Sequence, residues 1–284
     1  MPPRNIPTAR QARLGGELRK LREHAGRTAR EAAAMMSTDQ AKISHIEAGR
    51  VGISEDRIRR LSAFYDCEDE NLVEALCAIA RERRGQYWWD DYRGILAPGF
   101  LDIAELEHHA TGLHYLQPVT FPGILQIEEY AHALFAGAIP KLPDDELKAR
   151  VEHRMKRREI LDRDEPPKFE ATIHEAALHM RIGGRKVARR QLEYLLHVSE
   201  HPEFALRVIP FTRDVFVEVT QTVLYANGVV PQLDTVHVDA PIGGGFLDTA
   251  ATLGRYRVLL DRAKHAALSR GESRSFLHRA IKEM

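Results

Sequence analysis

The chain has 284 residues, 44% of them hydrophobic and 29% charged, with 41 Lys and Arg against 41 Asp and Glu. That length suits two domains, each with a packed core. Two cysteines, Cys67 and Cys77, exclude a disulfide framework and a four-cysteine zinc site. No apolar run reaches the roughly 18 residues of a membrane span, and Met1 to Arg13 lacks the apolar core of a signal peptide. A cytoplasmic protein with no membrane contact is expected. The zero net charge hides an asymmetry: residues 1–66 hold 13 basic and 8 acidic side chains, net +5, and the remainder 28 and 33, net −5. A basic front and an acidic remainder suggest one polyanion-binding module and one module with another task.

From Arg10 the pattern is helical, with Leu14, Leu18 and Leu21 on one stripe between charged residues. Gly26 stops this helix, and Thr28 caps the next, with Glu31 completing a capping box. Ala32, Ala33, Met35 and Met36 make a short helix of small and apolar residues. Ser37-Thr38-Asp39 is a turn, and Asp39 caps a third helix over Gln40–Ala48 that Gly49 ends. Ile58, Leu61 and Tyr65 stripe a fourth helix; Leu72, Leu76, Ile79 and Ala80 stripe a fifth. Two short helices joined by a tight turn and framed by three others are the layout of a helix-turn-helix DNA reader. In that layout Asp39, Gln40, Ala41, Lys42, Ser44 and His45 reach base edges, while Ile43 and Ile46 face the core. Gln40 suits adenine, Lys42 guanine or a phosphate, and the Ala41 methyl thymine. Thr28, Arg30, Thr38 and Arg50 lie near phosphates, where contacts position the module without reading sequence. Arg13, Arg19, Lys20 and Arg22 read as solubilising surface, and Glu47 as a structural acid paired with an arginine.

The run Ile43-Ser44-His45-Ile46-Glu47-Ala48-Gly49 resembles the signature of the XRE, or Cro/phage-repressor-type, helix-turn-helix family. The resemblance implies a five-helix, lambda-repressor-like domain over residues 10–84. Ala29 departs from it, standing where members often carry a phosphate-binding Gln.

After Arg84 the composition changes. Tyr87-Trp88-Trp89-Asp90-Asp91-Tyr92 holds both tryptophans and reads as an aromatic hinge that docks one domain on another. Helices are expected near Asp102–Tyr115, over Gln126–Phe135, over Asp144–Arg163, over Gly184–Ser199 and over Asp248–Leu268. Alternation of period two predicts strands at Phe169–Ile173, Ala205–Ile209, Val215–Val219, Thr222–Ala226 and Thr235–Asp239. Strands clustered beside helices without regular alternation indicate an α+β domain with a mostly antiparallel sheet, in a chain that is mainly α.

Residues 85–284 resemble the C-terminal domain of the actinobacterial Scr-type antitoxin-like regulators. The resemblance rests on Trp88-Trp89, Glu107 with Ala110, Phe121-Pro122-Gly123-Ile124-Leu125-Gln126, Tyr130-Ala131 and Arg154 with Arg158. It rests also on His174-Glu175-Ala176-Ala177-Leu178, Gly183-Gly184, Gln191-Leu192 and Val208-Ile209-Pro210-Phe211. His237-Val238-Asp239 departs from it. The resemblance implies a regulator encoded beside a small partner protein, the toxin of a toxin–antitoxin-like pair, with Trp88, Trp89, Glu107, Arg154, Arg158 and Glu175 as candidate partner- or ligand-binding residues.

Nothing in the sequence assigns catalysis, a cofactor or a metal. His174 and His179 are five apart, about 140° around a helix, whereas a zinc-binding pair needs four. His174 fits a strand end, with Glu175 opening a helix. Gly243-Gly244-Gly245 lacks the Lys-Ser/Thr of a phosphate loop and reads as a flexible turn. The sequence therefore points to a homodimeric, autoregulatory reader of a double-stranded DNA operator, with a partner-binding C-terminal domain. A second reading makes that domain a small-molecule sensor, and a third gives it an enzymatic activity.

Overall fold

Thr8 opens the first helix: its side chain accepts from the Gln11 N–H while the Gln11 side chain accepts from the Thr8 N–H. Two donors left free at a helix start are thereby satisfied. The computed structural model describes residues 7–82, 85–218, 220–239 and 244–284. The expected boundary at Arg84, the end of the expected strand at Val219 and Gly243 lie outside the described residues. The helical front comprises α1 (Ala9–His24), α2 (Ala29–Met35), α3 (Gln40–Glu47), α4 (Glu55–Phe64) and α5 (Glu70–Arg81). The capping box of Thr28 with Glu31 and the Asp39 cap form as the sequence predicts. Leu14, Leu18, Ile43, Ile46, Ile58, Leu61, Leu72 and Leu76 meet in one core, each buried side chain contributing roughly 1.5–3 kcal/mol.

Two glycines let α1 cross the end of α3 backbone to backbone. A Cβ on Gly15 would lie 2.4 Å from the Ile46 carbonyl oxygen, and one on Gly49 2.7 Å from that of Gln11. Gly49 also has a φ of +70°, a left-handed conformation that costs other residues more.

The second part begins with a 3-10 turn over Trp88–Tyr92 and α6 (Pro98–His109), followed by β1 (Gly112–Gln117), α7 (Glu128–Ala136) and α8 (Asp144–Arg157). Then come β2 (Lys168–His174), α9 (Glu175–His179), α10 (Arg185–Val198), β3 (Phe204–Ile209), β4 (Thr222–Asn227), β5 (Thr235–Asp239), β6 (Gly245–Leu247), α11 (Ala250–Ala266) and α12 (Arg270–Glu283). The six strands form one sheet in the order β3-β2-β1-β4-β5-β6. The β3–β2 and β2–β1 pairings are parallel, and the β1–β4, β4–β5 and β5–β6 pairings antiparallel. The sheet is thus mixed, antiparallel by three pairings to two, and its parallel half is built by the helical crossovers. The chain is mainly α, with an α+β second part. Leu113, Tyr115, Phe169 and Ile173 pack on one sheet face against Leu192, Leu195 and Leu277. Leu116, Tyr225 and Val236 pack on the other against Leu253 and Ala263 of α11.

Four elements differ from expectation. The helix expected over Asp102–Tyr115 stops at His109, and the residues from Gly112 are β1. This strand lies between β2 and β4 and buries both faces, so it shows no alternation to read. Residues 215–218 form no strand, and Val215 and Phe216 are exposed; their alternation has no partner. The helix expected to reach Arg163 is α-helical only to Arg157 and tightens into a 3-10 turn over Arg158–Asp162. Gly245, read as part of a flexible turn, begins β6, paired with β5. No helix among the described residues is long and apolar enough to cross a membrane.

The two parts are tightly joined. Val230 and Leu233, from the β4–β5 connection, belong to the core of the helical front. Arg13 is buried, donates to the carbonyl oxygens of Gln232, Asp234 and Asp248, and pairs with the Asp248 carboxylate. Arg13 and Arg22 are therefore not solubilising surface: both are buried and engaged by acids and carbonyls, Arg22 within the reader itself. The Ala9 N–H donates to Asp102 Oδ1 at 3.0 Å, and Gln232 Nε2 to Asp69 Oδ2 at 2.7 Å.

Candidate nucleic-acid interface

The α2–α3 turn runs over 36–39 and passes through Ser37 at φ +49°. Asp39 Oδ1 accepts from the Lys42 N–H at 2.7 Å, so this carboxylate fixes the start of α3. Behind the helix, Arg22 Nε donates to Glu47 Oε1 at 2.6 Å and Arg22 Nη2 to Glu47 Oε2 at 3.0 Å. Arg22 Nη1 donates to the Arg27 carbonyl at 2.8 Å. That bidentate pair ties the last turn of α3 to α1, and Glu47 has the structural role expected of it. Ile43 and Ile46 face inward.

The opposite side of α3 is open. Gln40, Ala41 and Ser44 are exposed, and Lys42 and His45 half-exposed. Ser44 Oγ donates to the Gln40 carbonyl at 3.1 Å, leaving its lone pairs outward. Thr28, Arg30, Asp39 and Arg50 are exposed around this face, and Thr38 is half-buried in the turn. Arg19, Arg59 and Arg81, elsewhere on the helical front, are each paired with a glutamate. Arg30, Lys42 and Arg50 make no ion pair among the described residues. Free cations flanking an uncommitted polar helix face can replace counterions on a phosphate backbone.

The six candidates in the second part do not converge on one site. Trp89 is buried and stacked on Tyr87 at 4.5 Å, and Trp88 lies against His153 at 5.0 Å; both hold the hinge on α6 and α8. Glu107 is buried, accepts from the Tyr115 hydroxyl at 2.6 Å and binds Arg157 through two hydrogen bonds of 2.7 and 2.5 Å. Its partner is Arg157, which sequence reasoning missed, not Arg154 or Arg158. Burial and the adjacent Glu107 push the Tyr115 phenol well above its ordinary range. Arg154 donates to Gln126 Oε1 and covers the Phe135 ring at 4.7 Å; burial, then the neighbouring Arg157, bring its pKa down to about 9. Arg158 lies over Tyr194, and Glu175 accepts from the Phe211 N–H at 2.6 Å. Gln191 bridges the Leu125 carbonyl and the Ile127 N–H, so this motif residue also serves the core.

Residues 100–279 match a family described as a domain of unknown function, DUF5753, and residues 13–76 match one described as a helix-turn-helix domain. The chain belongs to the DUF5753 family. Its DUF5753 domain takes in the whole sheet, from within α6 to within α12, and a helix-turn-helix unit precedes it. The protein is a DNA-binding regulator of the helix-turn-helix kind, XRE-like in its front unit. No curated protein and no solved structure matches the chain.

Proposed function

We propose that this protein is a sequence-specific transcription regulator that reads a double-stranded DNA operator with the exposed face of α3. The observation carrying this reading is that face itself: Gln40, Ala41 and Ser44 exposed, flanked by Arg30, Lys42 and Arg50 without acidic partners among the described residues. With α3 in the major groove, Gln40 addresses adenine, the Ala41 methyl touches thymine, and Lys42 takes guanine or a phosphate. Arg30, Arg50 and the α2 N-terminus at Thr28 hold phosphates; Thr38 and His45 border the groove. Residues 10–84 serve as the reader and residues 85–284 as the domain that sets its state. A homodimer presents two readers to half-sites roughly 34 Å apart.

The test is fluorescence anisotropy on DNA from the gene's own upstream region, at several salt concentrations and against scrambled competitor. Wild type binds the operator in preference to competitor, and the Gln40/Lys42/Ser44 triple Ala variant loses that preference. Lys42→Ala alone reduces the salt slope by about 0.9 if Lys42 meets a phosphate. Normal operator preference in the triple variant would refute the assignment of α3. The antitoxin-like role, with a small partner protein bound by residues 85–284 and autoregulation of the shared operon, rests on the Scr-type resemblance. Co-purification of the neighbouring gene product with the full chain tests it.

A further inference from the structure

A cavity of about 420 Å³ opens between the reader and the DUF5753 domain, within the roughly 300–1,000 Å³ typical of small-molecule sites. One wall is the first half of α1; the facing wall is α6, and the floor is formed by the ends of β4 and β6. Ile79, Leu106, Leu233 and Phe246 give it an apolar lining, while Asp102 and Glu105 enter it from α6. These carboxylates are three residues apart, on one helix face.

Among the described residues, Arg10 and Arg93 act on these carboxylates only from beyond ion-pair distance. The two arginines in the walls are engaged elsewhere: Arg10 grips Glu82 with hydrogen bonds of 2.8 and 3.0 Å, and Arg13 is held by Asp248, Glu17 and three carbonyls. Neither Asp102 nor Glu105 forms an ion pair among the described residues. Among the described residues Asp102 accepts only from the Ala9 N–H, and Glu105 is 9% exposed. Burial raises both carboxyl pKa values, Glu105 to about 7, against the weaker opposing effect of a Thr8 hydrogen bond. His109, in the same wall, is kept neutral by burial, and its Nε2 has no hydrogen-bond partner among the described residues, Glu82 Oε1 lying 3.7 Å away. An apolar chamber with two desolvated carboxylates that form no ion pair among the described residues, and whose nearby cations Arg10 and Arg93 are already committed to Glu82 and Asp90, suits a ligand with a protonated nitrogen on an apolar body.

We propose that this interdomain cavity is an effector site for a small organic amine, whose ammonium bridges Asp102 and Glu105 and whose apolar body fills the chamber beside Phe246. The coupling rests on the operator-binding reading above. The connection is α1: it walls the cavity at Thr8–Arg13, and two residues further on Gly15 lies against the α3 backbone. A ligand that resets the α1–α6 gap therefore moves α3 as a body.

Calorimetry on the full chain, without DNA, tests the site with 2-phenylethylamine and cyclohexylamine against the isosteric alcohols 2-phenylethanol and cyclohexanol. Each amine binds at least about tenfold tighter than its alcohol, the ratio set by one charge-assisted hydrogen bond. That preference disappears in Glu105→Gln and shrinks in Asp102→Asn, while both variants keep the wild-type circular dichroism spectrum. No amine binding, equal binding of amine and alcohol, or a preference that survives in Glu105→Gln overturns the site. In parallel, a saturating amine changes operator affinity several-fold in wild type and leaves Glu105→Gln unmoved. Amine binding with unaltered operator affinity overturns the coupling. Because calorimetry needs no DNA, failure of the α3 assignment appears separately, as ligand-free protein without operator preference.

Discussion

Glu105→Gln also changes folding stability in a way that identifies the charge state of the cavity. Burial lifts the carboxyl from its ordinary 4.5 to about 7. Between these values the folded protein holds a proton that the unfolded chain has released. Stability from this group is therefore lost as pH rises from 4.5 to 7, and the loss levels off above 7. At about 1.36 kcal/mol per pH unit, a gap of that size costs the native state about 3 kcal/mol at pH 8. Gln keeps the shape and cannot ionise. Urea denaturation at pH 4.5 gives nearly equal stabilities for the two proteins, and at pH 8 Glu105→Gln is more stable by about 3 kcal/mol. Other titrating groups are common to both proteins and cancel in the difference. A difference that stays flat with pH, or a variant less stable at pH 8, would show that Glu105 has a cationic partner in the empty protein. The case for the amine site would fall with it.

Gly15→Ala places a Cβ 2.4 Å from the Ile46 carbonyl oxygen. The helices must separate, at a cost of about 1–3 kcal/mol, and operator binding weakens in anisotropy. Glu47→Ala removes the bidentate partner of Arg22, leaving it the Arg27 carbonyl and a 3.5 Å contact with Glu23, and destabilises by about 1–3 kcal/mol in urea titration. The double change Arg22→Met with Glu47→Leu recovers most of that loss, which shows that the penalty lies in the charge deprived of its bidentate partner. His109 and His153 are held neutral by burial, each with its pKa brought down to about 3. The unfolded chain takes up these protons once pH drops below 6.5, so stability falls from there toward pH 3. His153→Phe moves the acid-unfolding midpoint, followed by tryptophan fluorescence, to lower pH.

How much of this was legible in the sequence depends on how local the determinants are. Thr28, Glu31 and Asp39 act within three residues of themselves, and all three cap as their spacing predicts. The apolar stripes of the front helices are likewise read from periodicity alone. β1 was hidden because a strand buried on both faces looks, at this length, like part of a helix. Val215 and Val217 alternate as a strand would, yet a strand exists only where another backbone lies beside it. The pairing of Glu107 was out of reach for a related reason. Arginines at 154, 157 and 158 are all close by in the sequence, and only the rotation of α8 selects Arg157.

The arginines carry that lesson furthest. Arg13, Arg22, Arg30 and Arg50 are chemically alike, and the sequence gives no local reason to separate them. The fold separates them by neutralisation. Arg13 is consumed by carbonyls and a carboxylate more than 200 positions away, and Arg22 by Glu47. Arg30 and Arg50 remain exposed without an acid among the described residues. A buried, paired guanidinium has little left to offer a polyanion, whereas an exposed unpaired one releases a counterion at every phosphate it meets. The same test applied to carboxylates singles out Asp102 and Glu105, which the fold has desolvated and which form no ion pair among the described residues. On the reading proposed above, the unmatched cations mark the face that meets DNA. On the proposal above, the two carboxylates mark the cavity that takes an amine.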